Sequence, residues 1–383
     1  MEGKIIFGKR EAISLLIILI CNQLILGFPS IMSNSVGSAG WILSIYVSIL
    51  ALCLFLIISK LYSAFEGKDL LDISEFAGGN IARIIVGLIV VIDSVLIISV
   101  KLREYTEHIK IISFTQSPVS FIMLFFALGM IISVHFGIEP LVRSTTIVLP
   151  IVAIGVVIVV AGSVKNFELS NIMPILGTGP YDIFVGGLPR LSIFSGIISL
   201  FFIPPFMGGY KNIKKIGVLV ITISGIVLTV GVLAYLLVFP YPVSSNNVLA
   251  FFELSRVLEY GRFFQRIESV FLLTWSLAGL LYLSSGLYFV IYVFSKTFKL
   301  KYYRPLIIPF TLIIFSLSLI PESLMEIMYL DNKVIRYYAW IVAFGLPFVL
   351  LSIARLVKRK RRGMAKKWEV KPRKVSRCFW HLL

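Results

Sequence analysis

Asp93, Ile97, Lys101, Glu104 and His108 recur at intervals of three and four residues inside an otherwise apolar run, a spacing that puts them on one face of a helix. Lys101 can pair with Glu104 at i, i+3, and Glu104 with His108 at i, i+4. A carboxylate at the depth of Asp93 is costly in hydrocarbon unless it meets a partner or water. Two uses fit this face. Asp93, Lys101 and Glu104 can line an ion or proton path, or they can form a paired stripe packed against Arg190 or backbone. Covalent chemistry has no comparable carrier. Cys21, Cys53 and Cys378 show no CxxC spacing, His108, His135 and His381 lie far apart, and neither a P-loop nor a complete GxGxxG occurs. The expectation is a chain that is not an enzyme, without disulfide, cofactor or metal site.

Backbone can bind where side chains do not. Asn22-Gln23 is followed by Gly27-Phe28-Pro29-Ser30, and Ser192, Ser195 and Gly196 precede Pro204-Pro205. Proline removes an intrahelical hydrogen bond and clashes with the preceding turn. Amides freed at a half-helix start suit a carboxylate and freed carbonyls suit an ammonium group, so a pair of breaks can grip an amino acid. The competing reading is that Gly and Pro merely kink membrane helices. Tyr282, seven residues after Trp275, brings a hydroxyl into apolar surroundings, where it needs a partner or a ligand. Arg266 and Glu268 are two apart and face different ways.

The elements that hold these residues are membrane helices. Hydrophobic residues make up 58% of the 383 positions and charged ones 14%, with mean hydropathy +0.97, against ~25% charged in a soluble domain. Runs long enough to cross the hydrocarbon fall near 11–33, 41–61, 81–105, 119–136 and 141–162, then 188–207, 216–239, 264–294, 305–320 and 334–357. These are about ten spans, and the two broken ones are spans 1 and 6. Residues 11–33 follow Lys9-Arg10 and read as a retained first helix, because Ile20 stands where a lipoprotein cleavage site needs a small residue. With the N-terminus inside, 26 of the 36 basic residues fall on the inner side and nine on the outer, which places both termini in the cytoplasm. That asymmetry, rather than nucleic-acid binding, explains the net charge of +17. The chain divides into a helix bundle, 1–357, and a basic cytoplasmic tail, 358–383, whose Lys358-Arg359-Lys360-Arg361-Arg362 attracts anionic lipid headgroups.

Asn171-Ile-Met-Pro-Ile-Leu-Gly-Thr-Gly-Pro180, Leu191-Ser-Ile-Phe-Ser-Gly196 leading to Phe202-Ile-Pro-Pro205, and Gln265-Arg-Ile-Glu-Ser269 with Trp275 resemble the B subunits of spore germinant receptors, from about residue 8 to 357. That family lies within the amino acid–polyamine–organocation transporter superfamily. The resemblance implies an all-α integral membrane fold with a leucine-transporter-type five-plus-five inverted repeat. It also implies sensing of a nutrient germinant in the spore inner membrane and assembly with receptor A and C subunits. By position it places the ligand pocket among spans 1, 3, 6 and 8 and selects Gln23, Gly27, Phe28, Ile97, Ser195, Gly196 and Tyr282. An ion-coupled amino-acid permease is the competing function, since sensor and carrier share one scaffold, and the intramembrane Asp93 favours it.

Overall fold

The computed structural model describes residues 7–22, 27–206, 210–257 and 267–369. Among them the chain is helical throughout, with no strand. In hydrocarbon every backbone N–H and C=O must be satisfied within the protein, which a helix does segment by segment. The first expected span is split into α1 (Lys9–Cys21) and α2 (Phe28–Val36), and a Gly37–Ala39 turn joins α2 to α3 (Gly40–Tyr62). Then come α4 (Leu70–Ile112), α5 (Val119–Phe136), α6 (Ile138–Ser163), a tightly wound 3₁₀ segment (Leu188–Phe201) and α7 (Tyr210–Val238). Two short helices, α8 (Val243–Asn246) and α9 (Ala250–Arg256), precede α10 (Ile267–Thr297) and α11 (Ile307–Ser318). The last rod comprises α12 (Leu324–Tyr329), α13 (Arg336–Trp340) and α14 (Leu346–Glu369), joined by the π-wound turns Leu330–Ile335 and Ile341–Gly345.

Eight helical stretches among the described residues are long and apolar enough to cross a membrane. Two of the ten expected spans do not reach that length alone. Arg304–Ser318 is apolar but short, and α1 has 13 residues. At the other extreme, α4 has 43 residues, about 65 Å at ~1.5 Å per residue and twice the ~30 Å core. Its excess is turned aside at Gly78-Gly79, where Gly79 has φ +71°, a left-handed conformation that side-chain-bearing residues avoid. Asp69 caps the helix start: its carboxylate accepts from the Asp72 amide at 2.9 Å while the Asp72 carboxylate accepts from the Asp69 amide at 3.3 Å.

Burial separates interior helices from lipid-facing ones. The α10 stretch is 72% buried and the α6 stretch 17%, so α10 threads the interior and α6 stands at the rim. Exposed apolar residues such as Phe125, Ile151, Ile154 and Leu312 face outward, the surface expected of a protein dissolved in lipid. At the centre α1 carries Leu15, Leu16 and Ile20 at 0% exposure. It packs on α6 and α7, while the 3₁₀ segment packs on α13 and α3. Helix α3 lies on α7 and α4 on α10; α5 packs on α10, α11 on α4, α6 on α10 and α14 on α4.

Helix α14 runs through Val357-Lys358 without interruption. Arg355 donates to the Leu61 carbonyl at 3.1 Å and also to that of Lys60, Lys358 donates to Ala64, and Arg361 to Phe76 at 3.4 Å. Lys358 also sits 4.9 Å from the Phe65 ring and Arg361 4.6 Å from the Phe76 ring. The carbonyls at the end of α3 have no partners within that helix, and Arg355 meets two of them, while Lys358 and Arg361, at three-residue steps along α14, hold the following turn and the first turns of α4.

Candidate functional site

Span 1 is broken as the Gly-Pro pattern requires. Helix α1 ends at Cys21, and Gly27 opens α2 with Pro29 in its first turn. Gln23 lies outside the described residues. Span 6 breaks later than its glycine implied: Ser195 and Gly196 stay inside the wound segment, and the helix ends at Phe201, just before Pro204-Pro205. A 3₁₀ run of this length is unusual, because its hydrogen bonds are poorer than those of an α-helix, and such stretches mark hinges or strain. Gly196 serves a close approach instead. A Cβ there would lie 3.1 Å from the Leu19 carbonyl oxygen and 3.2 Å from the Leu19 Cβ, so a side chain would press the two broken spans apart by a few tenths of an ångström.

Beside that contact is a cavity with about 70 Å³ open to the centre of a water molecule, lined by Leu19, Asp93, Ile97, Ser195, Gly196, Ser199, Tyr282 and Gly286 among others. One water needs ~10–15 Å³ by that measure, so the space holds several waters or one small solute. The fold thus brings together five residues singled out in the sequence: Asp93, Ile97, Ser195, Gly196 and Tyr282. Gly27 and Phe28 lie elsewhere. A Cβ on Gly27 would sit 3.9 Å from a Glu104 carboxylate oxygen. Phe28 is 2% exposed and faces an apolar gap of about 20 Å³ beside Cys21, Pro29 and Val156. Asp93 is half-buried and makes no hydrogen bond or ion pair among the described residues.

Lys101 and Glu104 do not share the cavity with Asp93. Lys101 pairs with Glu104, as the i, i+3 spacing foresaw, and its ammonium also lies 3.1 Å from Asp331. Asp331 in turn accepts from Arg336 at 2.6 Å. The Lys101 and Asp331 side chains are 2% and 3% exposed. Two cations and two carboxylates thereby bolt α4 to the last rod. Arg190 stands apart from the stripe: it donates to Ser35 Oγ at 3.0 Å and Asn332 Oδ1 at 3.2 Å, tying span 6 to α2 and the same rod. Glu107, rather than His108, completes the neighbouring pair, accepting from Arg103 at 2.9 Å. His108 is buried with its ring 6.3 Å from Trp275.

Packed on Tyr282 is a constellation that sequence reading did not select. Asn22 Nδ2 donates to the Tyr105 hydroxyl at 3.0 Å, and that hydroxyl donates to the Asn22 carbonyl at 3.2 Å. The Tyr105 ring lies 4.7 Å from Trp275 and 6.2 Å from Tyr282. Asn22 Oδ1, Trp275 Nε1, Ser192 Oγ and Asp331 Oδ1 are buried without a hydrogen-bond partner. Leaving a buried polar atom unpaired costs about 1–3 kcal/mol. Donors and acceptors are thus left unpaired on spans 1, 6 and 8 and on the last rod. The signal was present: Asn22 adjoins the break, Tyr105 extends the face of Ile97 and Lys101, and Trp275 lies two turns before Tyr282.

The profile of the family described as "Spore germination protein" matches residues 8–327. Spore germination protein B2 of Bacillus subtilis (strain 168) is 21% identical over 343 residues, 88% of this chain and 92% of that protein. Spore germination protein KB of the same organism is 23% identical, covering 88% and 91%. Among solved structures, MhsT in complex with L-phenylalanine superposes with TM-score 0.66 at 13% identity, covering 91% of each chain. Mhp1, a nucleobase-cation-symport-1 family transporter with bromovinylhydantoin bound, superposes with TM-score 0.64 at 11% identity, covering 96% of this chain and 93% of that one. At such identities the superpositions establish a shared transporter-type fold.

Proposed function

The chain belongs to the spore germination protein family, and from that membership we propose that it is the nutrient-germinant sensing subunit of a spore germination receptor, binding an amino acid at mid-membrane. One observation carries the reading: the cavity beside the broken spans 1 and 6 is lined by Tyr282, and through Tyr105 that ring adjoins two buried unpaired polar atoms, Trp275 Nε1–H and Asn22 Oδ1. In this reading the solute's carboxylate meets Trp275 and its ammonium group meets Asn22, and the Tyr105, Trp275 and Tyr282 rings offer its side chain apolar surface. Ile97 and Ser195 narrow the cavity, which favours a small or moderately apolar side chain.

The packing pattern supports a five-plus-five repeat with ten crossings. Exchanging each span with the one five places on turns the α1–α6 contact into that of the 3₁₀ segment with α13, and α1–α7 into the 3₁₀ segment with α3. It likewise turns α5–α10 into α11–α4, and maps α3–α7 and α4–α10 onto themselves. With both termini cytoplasmic, the bolt of Lys101, Glu104, Asp331 and Arg336 closes the outer side. Ligand shifts a bundle only by its differential affinity for two states, so a sensor needs binding and closure without a completed transport cycle. In this reading the cytoplasmic loops contact a receptor A subunit, a C subunit joins the assembly in the spore inner membrane, and Arg359 and Lys360, exposed beside the docked face of α14, meet anionic headgroups.

A second reading, the ion-coupled permease, is favoured by Asp93, an unpaired carboxylate in the cavity wall and a ready proton or cation handle. Reconstitution separates the two. Purified protein in liposomes should bind its germinant yet accumulate little of it under a proton or sodium gradient, and Ile97→Phe, which fills the cavity, should abolish the germination response at normal protein level. Deleting the A-subunit gene should eliminate the response while this chain still binds. Gradient-driven accumulation that Asp93→Asn removes would replace the sensor with the permease.

A further inference from the structure

At the end of the bundle holding the α3–α4 turn, α4 and α10 part around a second and larger cavity, about 620 Å³ by the same measure. Its walls are aromatic: the Phe206 and Tyr292 rings lie 5.3 Å apart, and Tyr288 stacks on Tyr292 at 6.4 Å. Charge gathers at its rim, where every carboxylate is already occupied. Asp69 accepts from Lys296 at 2.6 Å and from the Tyr292 hydroxyl at 3.1 Å; Asp72 accepts from Lys296 at 2.9 Å. Glu75 is shared between Arg83 at 2.5 Å and Lys299 at 2.8 Å. Three carboxylates face Arg83, Lys296, Lys299 and Lys301, and Lys301 is the cation left over. Its ammonium lies 5.5 Å from the Tyr302 ring and meets no carboxylate among the described residues.

An independent observation comes from Ser295. On α10, Ser276, Ser285 and Thr297 each donate to the carbonyl four residues back, at 2.6 to 2.7 Å, the usual way a hydroxyl is satisfied in a membrane helix, whereas the Ser284 and Ser295 hydroxyls have no partner, and of these two only Ser295 lines the cavity. Ser295 lines the cavity, is 8% exposed, and its Oγ has no partner. A buried hydroxyl held away from its own helix carbonyl, beside a surplus cation and aromatic walls, is complementary to an anion with an apolar body.

We propose that this cavity is a second ligand site, separate from the mid-membrane one, that takes a small organic anion: a carboxylate or phosphate carried on a ring-sized apolar body. The anionic group lies between the Lys301 ammonium and the Ser295 hydroxyl, and the body stacks along Tyr288 and Tyr292. Lys296, Arg83 and Lys299 keep their carboxylates and hold the rim in shape. The cavity shares no lining residue with the mid-membrane one, so the anion and the germinant can be bound at the same time.

Benzoate and phenyl phosphate are the probes, with benzylamine as the cationic control, titrated by calorimetry against the purified full-length protein in nanodiscs. Saturable binding of either anion, with benzylamine silent, is the expected result. Lys301→Gln should weaken it about two- to five-fold, the worth of an ion pair made by an exposed lysine, Lys301→Arg should retain it, and Ser295→Ala should weaken it as well. Ile97→Phe, confined to the mid-membrane cavity, should leave anion affinity unchanged, so failure of the germinant reading would not touch this one. Absence of binding by both anions, equal binding of benzylamine, or full affinity in Lys301→Gln with a native-like melting profile overturns the proposal.

Discussion

Replacing Lys101 by Met removes one of four charges in the bolt between α4 and the last rod, and the consequence can be worked from the geometry. The Lys101 side chain is 2% exposed and Asp331 3%, so water does not replace the lost ammonium. Asp331 keeps Arg336 at 2.6 Å, but Glu104 loses its partner and a single uncompensated negative charge remains. Removing one member of a buried pair costs ~3–5 kcal/mol. Unfolding entropy of ~2.1 cal/mol/K per residue, applied to 383 residues, gives about 0.8 kcal/mol/K. The expected fall in melting temperature is therefore ~4–6 °C. Lys101→Met combined with Glu104→Gln restores neutrality around Arg336 and Asp331, and should recover at least half of the loss, because the penalty is mainly the stranded charge. Thermal unfolding of the two variants in nanodiscs, read by intrinsic tryptophan fluorescence, makes the comparison. A single variant within 1 °C of the parent, or a double variant lower than the single one, would refute the claim that these four groups form one charge-balanced unit.

Trp275→Phe keeps the ring against Tyr105 and deletes the unpaired Nε1–H; germinant affinity should fall about ten-fold while the melting temperature holds or rises by roughly 1 °C, since an unsatisfied buried donor costs about 1–3 kcal/mol. Calorimetry and melting on the same sample check both. A unique thiol added at the C-terminus should resist a membrane-impermeant maleimide in intact cells and react after permeabilisation. Arg355→Ala with Lys358→Ala should release the α3–α4 turn, raising amide hydrogen exchange over residues 61–66 at least ten-fold while the middle of α10 stays protected.

Composition and hydropathy alone determined that the chain is a helical membrane protein, because a medium without water leaves a backbone of this apolarity no other way to satisfy its hydrogen bonds. The break in span 1 was legible for the same local reason: proline removes a donor wherever it stands, and α2 starts where Gly27-Phe28-Pro29 requires. Spacing along one helix also foresaw the Lys101–Glu104 pair. What lay between helices was not written in any one of them. Asp93 and Lys101 share a face of α4, yet one lines the cavity and the other is bolted to Asp331, 230 residues away. Gly196 looked like a point of unwinding, but its role is set by the Leu19 backbone pressing on it. Span 6 instead ends before Pro204, after a 3₁₀ stretch packed against α1, α3 and α13. Asn22, Tyr105 and Trp275 became a site only once three helices met. Helical periodicity reports which way a side chain points, whereas a partner on another helix depends on the crossing of both, and that crossing is decided by the packed bundle.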